Sequence, residues 1–265
     1  MTLRIERRIA LGGMSEVFLA REEGHAGFAR SVVLKRISPE HADDVEYVTM
    51  FFDEARLLAK LSHPHIAQVY AIGVQDGRPH LVMEHVSGVT LRHAIDRIAR
   101  GAPRCSSRVQ AAIGLALAQA LGHAHARHDE HGRPMHVIHR DLTPSNVMVS
   151  DEGVTKLLDF GIAKWAAQML ETATDVVKGT YGYMAPEQGI AGHPIDHRVD
   201  VHALGVVLAE LGAIDTPPPI ASLLARCTSP DPASRPGSMR EVAHALAPFA
   251  ASTFDEIAVA VAAWR

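Results

Sequence analysis

The chain has 265 residues, of which 47% are hydrophobic and 21% charged, and 26 Lys and Arg against 30 Asp and Glu give a formal net charge of −4. That apolar content excludes a disordered chain, and the lack of excess positive charge argues against a nucleic-acid reader. The first residues are too charged for a secretory leader, the apolar stretch 257–264 is far shorter than a bilayer needs, and only two cysteines, Cys105 and Cys227, occur. A cytoplasmic globular protein of one large domain or two lobes is therefore expected. The oddity is 17 histidines.

In chain order, 9–20 reads as a glycine-interrupted hairpin, and 31–37 alternates well enough for a strand on which Val33 and Lys35 share a face. The spacing of Val48, Phe51, Phe52, Ala55 and Leu58 predicts a helix over 45–61. Glu54 lies on or beside its apolar stripe, where a carboxylate needs a cationic or hydrogen-bonding partner. Residues 81–86 read as a strand, and Gly88 marks a boundary between a sheet-rich and a helix-rich part. Helix is expected over 106–128 and again after Arg198. Between them Ser150-Asp151-Glu152-Gly153 supplies turn chemistry for a small hairpin of 147–149 with 154–158. His123, His125, His128 and His131 look like a metal cluster on paper. On one helix, however, only His128 and His131 have ligand spacing, so a solvated helix end is the expected reading.

Four segments carry the chemistry. His139-Arg140-Asp141-Leu142-Thr143-Pro144-Ser145-Asn146 is followed, thirteen residues after Asn146, by Asp159-Phe160-Gly161. Val32-Val33-Leu34-Lys35 precedes the Glu54 helix, and Gly179-Thr180-Tyr181-Gly182-Tyr183-Met184 runs into Ala185-Pro186-Glu187. Together they resemble the protein kinase family, in its bacterial eukaryotic-like Ser/Thr branch, over about 5–248. Two motifs of this kind at this spacing leave a chance pair of acidic turns a negligible alternative.

The resemblance implies an α+β, two-lobed protein kinase-like fold. A small antiparallel sheet with one helix would form an N-lobe (about 1–86), followed by a mostly helical C-lobe (about 87–250) and a short helical tail (251–265). It implies that Asp141 accepts the proton of the substrate hydroxyl and that Asn146 and Asp159 hold Mg²⁺ (Mn²⁺ being possible), since a hard cation prefers oxygen ligands. Lys35 would grip the α and β phosphates of ATP and pair with Glu54. Ile9, Gly12, Gly13, Val17, Val33, Met83 as gatekeeper, the backbone of Glu84 and Val86, and Met148 would complete the ATP site. By residue type alone, 81–86 could equally be a buried edge strand.

Thr172 and Thr174 are candidate phosphosites that Arg140 could pair, or plain loop threonines. Thr180 would contact Asp141. His139 and Phe160 would pack together, Glu187 would pair with Arg235, and Asp200 would brace the catalytic loop. The implied partners are ATP and a protein substrate, with neither nucleic acid nor membrane.

Three departures stand out. Ala10 and Ser15 replace the outer glycines of the phosphate-covering loop, so that only Gly12 and Val17 fit the pattern. Thr143 stands where the family usually has a Lys, and only 34 residues separate Asp200 from Arg235, a shortened C-lobe. These departures motivate a second reading, a pseudokinase or ATP-binding scaffold. A small-molecule kinase is disfavoured by 179–187, which resembles a peptide-substrate platform.

Overall fold

The computed structural model describes residues 2–12, 14–75, 77–160, 181–190, 192–251 and 254–265. The described residues fall into two compact units, one within 2–62 and 67–85, the other within 63–66, 86–160 and 181–265.

The first unit is a five-stranded antiparallel sheet with one helix. Its strands are β1 (Thr2–Leu11), β2 (Ser15–Glu23), β3 (Ala29–Ile37), β4 (Val69–Gln75) and β5 (Arg78–Glu84), in the spatial order β1-β2-β3-β5-β4. Period-two alternation sorts side chains onto two faces, and cross-strand partners point the same way. Phe18 pairs with Leu34 and Leu34 with Val82, and with Ala20 and Val32 these residues form one apolar cluster, with Leu3 packed against it. On the other face Val17 pairs with Lys35, Leu19 with Val33, and Val33 with Met83. Helix α1 (Val45–Ala59) packs by Phe51, Ala55 and Leu58. Asp44 caps it, accepting the Glu46 amide at 2.9 Å and the Tyr47 amide at 3.4 Å.

The second unit is mostly helical. Its small sheet joins β6 (Gly88–Thr90), β7 (Val147–Ser150) and β8 (Thr155–Leu157) in that order. Its helices are α2 (Leu91–Ala99), α3 (Ser107–His125), α4 (Arg198–Leu211), α5 (Pro218–Cys227), α6 (Met239–Leu246) and α7 (Phe254–Trp264). Helix α3 is apolar on most sides and buried accordingly, with Ile113, Leu117, Ala120 and Leu121 fully inaccessible. Gly114 lets its neighbours in close, because an added Cβ would lie 2.7 Å from Leu208 of α4 and 2.9 Å from Leu246 of α6. Gln110 donates to the Leu208 carbonyl at 2.8 Å, so its amide binds α4 instead of standing unsatisfied. Trp264 is fully buried and donates to the Pro103 carbonyl at 3.2 Å, which fixes α7. Among the described residues no single helix is long and apolar enough to cross a membrane.

The helix expected over 45–61 ends at Ala59, and the one expected over 106–128 ends at His125. The solvated-end reading of the four histidines needs correction. His128 and His131 do lie exposed beyond α3, but His123 rests against the ring of His63 and His125 is tied to Asp200. Because α3 is buried nearly all round, its last turn has no fully solvated side.

Candidate active site

In the first unit, β3 presents Lys35 and α1 presents Glu54, and Lys35 Nζ donates to Glu54 Oε1 at 2.8 Å. Both side chains are largely buried, at 12% and 8% exposure, so the pair answers the need for a partner that the helix position imposes on Glu54. The register puts Lys35, Val33, Val17 and Met83 on one face of the sheet, opposite the Phe18 cluster. An apolar wall of Val17 and Val33 beside a single ammonium is the lining a nucleobase and its phosphates would require. The Gly12 amide donates to the Ser15 carbonyl at 2.8 Å and closes the β1–β2 turn, while Ile9 is exposed. The Glu84 amide donates to the Gln68 carbonyl at 2.8 Å, so an adenine contact from Glu84 would have to come from its carbonyl.

In the second unit, the segment from His139 to Phe160 is organised around a buried carboxylate. Asp200, on the first turn of α4, is fully inaccessible. Its Oδ2 accepts the His139 amide at 2.8 Å and its Oδ1 accepts the Arg140 amide at 2.9 Å. His125 Nε2 lies 2.7 Å from Oδ2, and because a carboxylate only accepts, that nitrogen carries the proton. Burial alone would raise the Asp200 pKa, but the His125 bond and the His139 amide hold it below the ordinary value.

The brace meets a real strain. Arg140 sits at φ 65°, a left-handed conformation that costs a non-glycine residue about 1–3 kcal/mol. Its amide is held by Asp200, and its carbonyl accepts Gln188 Nε2 at 3.2 Å. Gln188 is anchored in turn, because its Oε1 accepts the Ala185 amide at 2.9 Å.

Asn146 is the second organising point. Its Nδ2 donates to the Asp141 carbonyl at 2.9 Å and to Asp141 Oδ2 at 3.3 Å, and its amide donates to the Thr143 carbonyl at 3.0 Å. Its own carbonyl accepts the Leu158 amide at 2.9 Å, one residue before Asp159. Asp141, Asn146 and Asp159 are therefore linked through one side chain and its backbone. His139 is fully buried, with its ring 4.7 Å from that of Phe160, and its Nδ1 accepts the Asp141 amide at 3.3 Å. Burial depresses its pKa despite the carboxylates nearby, so it stands neutral as a packed residue. Val86 is buried, and Met148, half-buried on β7, lies opposite Thr90.

Glu187 and Arg235 make a bidentate pair at 2.6 and 2.9 Å, with Arg235 also donating to the carbonyls of Ser229, Pro230 and Arg198. Gly13, Gly161, Thr172, Thr174 and Thr180 lie outside the described residues.

Sequence reasoning missed three features. His125 and Gln188 are joined to their partners only by the fold. A further network joins Arg92 of α2 to Glu210 of α4 at 3.1 Å, with the Tyr183 hydroxyl hydrogen-bonded to both. The one available signal was the bracing role that the resemblance implies for Asp200, since a carboxylate that braces a loop needs donors.

The chain matches the family model described as the protein kinase domain over residues 3–219. It is 42% identical over 204 residues to the tyrosine-protein kinase MasK of Myxococcus xanthus, covering 77% of this chain and 31% of that protein. It is 38% identical over 209 residues to the serine/threonine-protein kinase PknB of Mycolicibacterium smegmatis, again 77% and 31%. The chain thus spans about a third of the length of these two relatives. Among solved structures, the Mycobacterium tuberculosis PknI kinase domain superposes with a TM-score of 0.66 at 31% identity, covering 93% of this chain and 95% of that one. On that footing the chain belongs to the protein kinase domain family and, within it, to the bacterial eukaryotic-like branch.

Proposed function

We propose that this domain transfers the γ-phosphoryl group of ATP to Ser or Thr hydroxyls of protein substrates, its own included. The observation that carries the reading is the braced loop, in which Asp200 and Asn146 together fix Asp141. A group held this firmly can orient an acceptor hydroxyl without reorganising during the reaction. Asp141 would take the hydroxyl proton as the oxygen attacks phosphorus and the bond to the departing ADP oxygen breaks. Lys35, held by Glu54, would neutralise the α and β phosphates.

The donor set fits a hard cation. Asp159 offers a carboxylate, and Asn146 commits its amide nitrogen to Asp141, which leaves its carbonyl oxygen as the end to face a metal. Asn146 and Asp159 would hold Mg²⁺, which when bound supplies charge neutralisation on the phosphates. The backbone of Glu84 and Val86 would hold adenine against Val17, Val33, Met83 and Met148, with Ile9 and the Gly12 turn at the edge.

Ser/Thr specificity rests on the majority of the relatives, since the tyrosine kinase MasK is also similar. The pseudokinase alternative draws on Thr143, where a positive contact to the transition state is missing. Thr143 nevertheless keeps its structural part, because its carbonyl holds Asn146, and a backbone group does that whatever the side chain. The test is incubation of the purified chain with γ-labelled ATP, Mg²⁺ and a generic basic protein, followed by phosphoamino-acid analysis. Labelled phosphoserine or phosphothreonine is expected. Label on tyrosine alone would overturn the specificity, and ATP-dependent thermal stabilisation without label would favour the pseudokinase.

A further inference from the structure

Between α1 and β4 the chain leaves the first unit for four residues, His63–Ile66, that belong to the second. These residues meet the free edge of β8 at a single bridge. The Leu157 amide donates to the His65 carbonyl at 2.9 Å, and Ile66 forms a parallel bridge with Leu157. The His65 ring adds a second tie, with Nδ1 2.9 Å from the Thr155 carbonyl. A carbonyl only accepts, so Nδ1 carries the proton and donates.

His65 is itself held in place. Its amide donates to His63 Nδ1 at 3.1 Å, and the His63 ring lies 5.2 Å from that of His123 on α3. Ile66 and Leu157 are both buried, which fixes the bridge from the apolar side.

The consequence falls on Asp159. Leu157 is pinned from one edge by His65, and Leu158 from the other by the Asn146 carbonyl. With the last residue of β8 and the residue after it held from opposite sides, the chain has little freedom to shift or rotate there, and Asp159 is the next residue.

We infer that His65 is a positioning residue for Asp159, fixing the strand that leads into this carboxylate so that it meets the metal with Asn146. The inference rests on the proposed reading of Asp159 as a metal ligand. His65 touches no reacting atom, and it acts through β8.

The test compares the chain with His65→Ala and with His65→Asn, whose side-chain amide can donate to the Thr155 carbonyl from nearly the same place. Two quantities are read. The first is amide hydrogen exchange at Leu157 in the nucleotide-free protein, and the second is the Mg²⁺ concentration for half-maximal ATP binding by calorimetry. In His65→Ala the Leu157 amide should exchange about tenfold faster, the loss of one net hydrogen bond. The Mg²⁺ midpoint should rise several-fold at unchanged binding stoichiometry, and His65→Asn should return both quantities close to wild type. A merely structural role would lower the binding-competent fraction and leave the Mg²⁺ midpoint where it was, and that result overturns the inference. So does unchanged Leu157 exchange. If His65→Ala does not fold, His65→Phe keeps the ring volume without the donor and carries the same comparison. ATP binding without phosphate transfer would retire the transfer reading alone, whereas a wild type that binds no ATP at any Mg²⁺ concentration would overturn both.

Discussion

The two units hold their candidate catalytic groups by different means. In the first, Lys35 is held by a side-chain ion pair between a strand and a helix. In the second, the backbone before Asp141 is tied by two amides to a buried carboxylate, and Asp141 itself is bonded by Asn146. A salt bridge between two flexible side chains is lost as soon as α1 shifts relative to β3. A loop bonded through its amides to a fully buried group moves only if the surrounding core opens. The first arrangement suits a position to be adjusted, and the second suits one to be kept.

That contrast is broken most severely at Asp200. Asp200→Ala leaves the His139 and Arg140 amides and the His125 ring without their acceptor in a buried setting. A stability loss of about 3–5 kcal/mol is expected from denaturant unfolding, together with loss of transfer. Glu54→Gln should do the reverse. It keeps a neutral acceptor of the same shape for Lys35 but removes the charge, so the stability loss should be smaller, about 1–2 kcal/mol, while transfer falls about tenfold or more. Equal stability losses in the two variants would end the distinction between the units.

A pH series sharpens the same contrast. Burial and the nearby His123, His65 and Lys156 push the His63 pKa down to about 4, and burial also lowers His123, His139 and His202. All four belong to the second unit, whereas His80, which burial also lowers, lies in the first. Above the ordinary histidine value of 6.5 these rings are neutral folded or unfolded and cost nothing. As pH falls from 6.5 to about 4 the unfolded chain takes up the protons first, so folded stability declines across that window. The thermal midpoint should therefore drop on acidification. His63→Asn, which keeps an acceptor for the His65 amide but cannot titrate, should recover about 2–4 °C of the loss at acid pH. A midpoint flat from pH 7.5 to 5 would refute the neutral-histidine account.

The smallest effect is expected at Asp44, the cap of α1. Asp44→Ala should cost about 1 kcal/mol and leave the transfer rate within about twofold, because the cap lies at the far end of the helix from Lys60 and does not touch the Lys35 pair.

Much of this was legible in the sequence because the decisive residues sit close together along the chain. His139 to Asn146 and Asp159 lie within one short stretch, and the placement of Lys35 and Glu54 followed from strand and helix periods alone. The ties that hold them were not legible. His125 and Asp200 are 75 residues apart and His65 and Thr155 are 90 apart, and no local pattern announces such a bond. The histidines at the end of α3 misled for a related reason. Spacing along a helix says which residues share a face, but not whether that face meets water or another helix. The strand order failed to announce itself in the same way, since β5 lies between β3 and β4 and so sets Met83 beside Val33.

The most direct test of the central claim is the intact mass of the chain after incubation with MgATP, wild type beside Asp141→Asn. The account predicts phosphate-sized increments on the wild type, mapped by fragmentation to Ser or Thr, and none on a variant with an unchanged thermal midpoint. No increment on the wild type with either Mg²⁺ or Mn²⁺, or equal increments on both proteins, would contradict it.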